Sequence, residues 1–121
     1  MAATNFSGPV VSTGGFTGDL TGGITGDIQA LSGAGAVNLT TLITEVTTGA
    51  GAAALTLANG TAGQIKIITM VTDGGGDATL TPTTLANGTT LTFADATDTV
   101  MLAYNSTIGW TIVSNSGVAV A

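Results

Sequence analysis

From about residue 37 onward, apolar and polar positions follow a two-residue period in short runs, the signature of half-buried strands. Residues 37–47 and 53–58 are rich in Thr, Val and Leu. Residues 64–71 alternate, with Ile65, Ile67 and Val71 on one face and Gln64, Lys66, Ile68 and Met70 on the other. Further strands are expected at 78–81, 89–93, 99–104, 108–113 and 118–120. Asn59-Gly60 and Asn87-Gly88 fall between such runs and predict tight hairpins, because a type I′ turn needs positive φ at both central positions. Regular short strands with turn signals between them predict a small β-sandwich or jelly-roll-like body.

The first third of the chain has a different period. From Thr13 it reads in fours as TGGF, TGDL, TGGI and TGDI, each quartet ending on an apolar residue: Phe16, Leu20, Ile24 and Ile28. Six glycines in these sixteen residues argue against a helix, where each costs about 1 kcal/mol relative to Ala. Collagen is excluded because its axis needs Gly at every third position. A flexible linker has no reason to space Phe, Leu and Ile so evenly. The expectation is an extended arm whose apolar row meets other copies of the chain or another protein, with those four residues as its contacts. The LSGAGA stretch at 31–36 reads as the joint, giving an arm over residues 1–33 and a body over 34–121. A second repeat, TLANGT at 56–61 and 84–89, reads as one turn solution used twice.

Composition sharpens this picture. Of 121 residues, 44% are hydrophobic and only 7% charged, against about 25% charged in ordinary soluble domains. The mean hydropathy is +0.55. Gly, Thr or Asn interrupts every apolar run well short of the roughly 18 residues that a spanning helix needs, so no membrane partner is expected. A surface built from Thr, Ser, Gly and Ala suits a protein covered by copies of itself or by a partner. Lys66 faces seven carboxylates for a net charge of −6, which argues against nucleic acid, whose binding runs on neutralised phosphates. The first residues lack the features of a secretory signal, so synthesis in a cytoplasm is expected and the five Asn-x-Ser/Thr sequons are read as chance.

The chemistry available is thin. With neither His nor Cys, the commonest bases, thiol nucleophiles and soft metal ligands are missing. Two carboxylate pairs, Asp73 with Asp77 and Asp95 with Asp98, could in principle serve a glycosidase or hold Ca²⁺. Both sit in stretches, DGGGD and ADATD, where Asp and Gly serve turn geometry. The expectation is no catalytic residue, no metal and no cofactor. Tyr104 and Trp110 could stack on sugars, but Ile108, Trp110 and Ile112 would share one strand face, which favours a core role. Lys66 invites pairing with a carboxylate, with simple solvent exposure as the alternative.

Taken together, NFSGPVVSTGGFTGDLTGGITGDI at the start, LANGTAGQIKIITM and TPTTLANGTTLTF in the body, and the late IGWTIV resemble tailed-phage, cyanophage-like virion structural proteins. The resemblance covers most of the chain through loose motifs. It implies a homotrimer on the virion, a non-enzymatic capsid decoration (cement) protein whose partners are the major capsid protein or other virion proteins. A short tail or head fibre binding host-surface glycan is the alternative. The chain is short for a fibre and lacks a coiled coil or large receptor-binding tip, which favours decoration.

Overall fold

The computed structural model describes residues 21–121 and, ahead of them, positions 5, 7–9, 11, 13, 14 and 18. Ten strands follow in order: β1 (Ile28–Ser32), β2 (Gly35–Val37), β3 (Ile43–Thr47), β4 (Ala53–Leu57), β5 (Ile65–Thr72), β6 (Ala78–Pro82), β7 (Leu91–Phe93), β8 (Thr99–Asn105), β9 (Gly109–Ser116) and β10 (Ala119–Val120). They form two five-stranded sheets, β1-β3-β5-β8-β9 (sheet A) and β10-β7-β6-β4-β2 (sheet B). The protein is all-β and sandwich-like, as its alternating pattern predicts.

The connectivity is more particular than a jelly roll. Through β6 each strand lies in the opposite sheet from the one before it. β1, β3 and β5 pair in parallel, and so do β2, β4 and β6. Residues 28–82 thus wind as three turns of a flattened coil. The remaining strands pair antiparallel with the coil and with one another. β1 begins at Ile28, so residues 28–32, which the sequence assigns to the arm, belong to sheet A. The run at 37–47 is also two strands in different sheets, split by a turn at 38–42.

Alternation sends one face of every strand inward. Val46, Leu55, Leu57, Ile68, Met70, Leu80, Leu91, Phe93, Val100, Leu102 and Trp110 are fully or almost fully buried in one cluster between the sheets. On β5 it is Lys66, Ile68 and Met70 that point in, while Ile65 and Val71 are exposed. Burying a large aliphatic or aromatic side chain stabilises by about 1.5–3 kcal/mol, so this cluster is the body's main source of stability.

Strand directions give the sandwich two unlike ends. The β3–β4, β5–β6 and β7–β8 connections share one end, and with them Asp73, Asp77, Asp95 and Asp98. The β2–β3, β4–β5 and β8–β9 connections share the other, where β1 begins and the arm therefore enters. At the acidic end the backbones approach closely: a Cβ on Gly76 would collide with the Gly51 carbonyl, and one on Gly74 with that of Thr48. DGGGD is glycine-rich because two coil turns touch there.

Neither Asn-Gly pair makes the tight hairpin its sequence suggests. Asn59-Gly60 lies in the crossover from β4 in sheet B to β5 in sheet A, and Asn87-Gly88 in an eight-residue connection from β6 to β7. None of these four residues has positive φ. Both TLANGT copies instead close around Trp110. From the first copy the Ala58 carbonyl accepts the Trp110 indole N–H at 2.9 Å, and Gly60 leaves room for the ring, since a Cβ there would lie 2.9 Å from Cζ2. From the second, the Thr84 carbonyl accepts Trp110 N–H at 3.0 Å, and Ala86 N–H donates to the Trp110 carbonyl at 2.9 Å. A short hairpin does join β8 to β9 through three residues, and Gly109, which opens β9, takes a φ of 86°.

Candidate functional site

Four features were legible in the sequence as candidates: the arm's apolar row, the Asp pairs, the aromatic pair and Lys66. Of the arm residues, Phe16 and Leu20 lie outside the described residues. Ile24 is 78% exposed and Ile28 is 54% exposed. The last quartet, TGDI, lies against the body. Gly26 packs onto Leu42 so closely that a Cβ would sit 2.5 Å from Leu42 Cδ2. The Asp27 carbonyl accepts Ile43 N–H at 3.1 Å, and Ile28 then falls in register beside Ile43. The quartet's glycine allows close approach, its third residue supplies a backbone acceptor, and its apolar residue joins a row on the sheet.

That row continues across sheet A. Ile28 pairs with Ile43, Ile43 with Ile67, and Ile67 with Met101. Their strand neighbours Thr44, Lys66, Ile68, Val100 and Leu102 point into the core, so the row projects from the outer face, as a period of two requires. Ile43, Ile67 and Met101 are half-buried by one another. Ile65 and Ala103 flank the row; Glu45, in register with Ala30 and Thr69 on the next row, is the charged residue on this face. The outer face of sheet B differs, with ladders of Ala36, Thr56 and Thr81 and of Ala54, Thr79, Thr92 and Ala119.

The Asp pairs do turn chemistry. Asp73 Oδ1 accepts Gly75 N–H at 2.7 Å, and Gly75 has φ of 99°. Asp98 is 7% exposed, and its Oδ2 accepts Ala94 N–H at 2.8 Å and Asp95 N–H at 3.1 Å. Its Oδ1 lies against Gly117, where a Cβ would not fit. These carboxylates satisfy backbone donors that a cation would have to displace. No group of three or more His, Cys, Asp or Glu able to hold a metal occurs among the described residues. A chelator is therefore expected to leave the melting temperature unchanged; a fall of several degrees in a thermal scan would show that the acidic end holds a cation.

The aromatic pair is internal. Trp110 is fully buried, with Tyr104 edge-on at 5.2 Å between ring centroids and 70° between planes. Ile112 packs against the same core, whereas Ile108 sits in the β8–β9 turn and is 48% exposed. No pocket opens among the described residues.

Lys66 corrects both readings of it: among the described residues it pairs with no carboxylate, and it does not reach solvent. Its side chain is fully buried. Nζ donates to the Thr41 carbonyl at 2.8 Å, to Thr41 Oγ1 at 2.9 Å and to Asn38 Oδ1 at 3.3 Å. Three uncharged acceptors thus take the three N–H bonds of the ammonium. The β2–β3 turn that supplies them is itself held: Asn38 N–H and Thr44 Oγ1 both donate to Gln29 Oε1 at 2.9 Å, and Gln64 Nε2 donates to the Leu39 carbonyl at 2.8 Å. Burial lowers the Lys66 pKa from its usual 10.5 to about 8. Alternation groups Lys66 with Ile68 and Met70 on one face of β5, and those two apolar neighbours are the sequence signal that this face points inward. The cluster fastens the arm-proximal end of the sandwich and offers no open coordination site or nucleophile.

No protein-family model matches the chain, and no curated protein matches it as a relative.

Proposed function

We propose that this chain is a capsid decoration protein of a tailed phage, a non-enzymatic homotrimer that coats the head and stabilises it, made in the host cytoplasm and held by the major capsid protein or another virion protein. The observation that carries the reading is the arm quartet. TGDI at 25–28 docks by a close-packed glycine and leaves its isoleucine exposed in an apolar row, and the three quartets before it repeat the same residue types. A chain that repeats these residue types four times is suited to lie along a surface. The rest of the molecule supports a covering role: a sandwich with uncharged outer faces, carboxylates gathered at the end away from the arm, and its large aromatic spent on the core.

Copy number in purified particles tests this reading. A decoration protein is expected at hundreds of copies per particle and on the head; a few copies at a tail or vertex would assign it to the fibre class, and absence from particles would overturn both.

A further inference from the structure

We infer that the outer face of sheet A is where copies of this chain meet, through an apolar seam of Ile28, Ile43, Ile67 and Met101. The inference rests on the self-assembling part of the function proposed above and is independent of the virion part. Ile28 carries the argument, because it belongs to two series at once. It is the last apolar residue of the arm quartets and the first of the row that crosses four strands of the sheet. The chain therefore presents one apolar path from arm to sheet, with Ile24 and Ile28 mostly in solvent in the single chain.

Size and charge select a second copy as the occupant. Five strands of five to eight residues, about 4.8 Å apart, give a face of roughly 500 Å². A stable interface needs about 800 Å² per partner, so the face supplies more than half of one, and the described residues that lead into β1 extend it. The chain carries a net charge of −6, so copies repel except where carboxylates are few. Sheet A's outer face carries Glu45 alone, while four of the seven carboxylates lie at the end opposite the arm. Sheet B's outer face is also uncharged, but its Ala and Thr ladders offer no large apolar side chain. A contiguous patch of this kind on an otherwise polar surface marks an interaction site.

The test is the oligomeric state of the full chain, by analytical ultracentrifugation across a dilution series, for wild type and for the double variant Ile43→Ser, Ile67→Ser. Both side chains point away from the core, so far-UV circular dichroism and the thermal transition should show a folded body. The double variant is expected to raise the dissociation midpoint at least about tenfold, the effect of losing some 1.4 kcal/mol of contact. A control, Thr56→Ser with Thr81→Ser on sheet B, is expected to leave the midpoint in place. A wild-type chain that stays monomeric overturns both the seam and the assembly it rests on. A wild-type oligomer whose midpoint the double variant leaves unmoved overturns the seam alone. If wild type is monomeric and the double variant loses particle binding, the face belongs to the shell protein and the inference is wrong.

Discussion

Between pH 8 and 10.5 the wild-type protein is expected to gain stability relative to Lys66→Met. The sign follows from where the proton sits. Lys66 has a pKa of about 8 when folded, against 10.5 when unfolded. Below pH 8 both states hold the proton, and the folded state bears the cost of a buried ammonium. Between the two values the unfolded chain binds more protons than the folded one, so stability rises with pH. Above 10.5 both are neutral and the gain is complete, on the order of 3 kcal/mol. For a body of about 95 residues this corresponds to a relative rise in Tm of roughly 15 °C. At pH 7 alone the substitution is a poor probe. It removes a buried charge but strips the Thr41 carbonyl of its Lys66 donor, and an unmet buried acceptor costs about 1–3 kcal/mol. The difference in Tm between wild type and variant, followed across pH 7–11, is the measurement. Parallel curves would mean that Lys66 is not desolvated in the folded protein.

Lys66 also marks where sequence reasoning stopped. Alternation identified the two faces of β5 correctly but did not say which was inside. The decision was made from far away, by Asn38 and Thr41 at 25 or more residues' separation, and no local pattern reports such a cage. Strands whose pairing is local or whose pattern is strong were legible: β4, β5, β6, β8 and β9 lie within a few residues of their expected places. β1 was not, because IQALS has only two large apolar residues and gains its strand state from parallel pairing with β3. The coil itself was invisible for the same reason. Parallel neighbours such as Ile43 and Ile67 are far apart in sequence, and the Asn-Gly pairs advertised hairpins that the crossovers did not make. What was legible of the proposed assembly surface was its arm half. Its sheet half, Ile43, Ile67 and Met101, emerged only when register brought three strands together beside Ile28.

Deleting residues 1–24 is expected to leave a folded body that no longer decorates particles. The boundary matters, because a cut at residue 28 would remove Gly26 from against Leu42, the Asp27 carbonyl that Ile43 N–H uses, and the first residue of β1. A cut after Ile24 spares all three. The core residues lie at position 37 and beyond, so the truncated chain should keep its β-sheet spectrum and its thermal transition within about 1 kcal/mol, as expected for changes outside the core. Attachment is a different matter. Each arm apolar side chain contributes roughly 1.5–3 kcal/mol when buried, set against the entropy of ordering a glycine-rich segment, about 1–2 kcal/mol per residue. The margin per quartet is therefore small, and firm binding must come from several quartets acting together and from several arms per assembly. Losing Phe16, Leu20 and Ile24 from every arm removes most of it. Replacing Leu20 and Ile24 by Ser should act in the same direction while keeping chain length, which separates loss of apolar contact from loss of reach. Cosedimentation of each variant with particles that lack the protein gives the answer. A truncated body that binds such particles with wild-type affinity would place the fastening on the sandwich and leave the arm without that role.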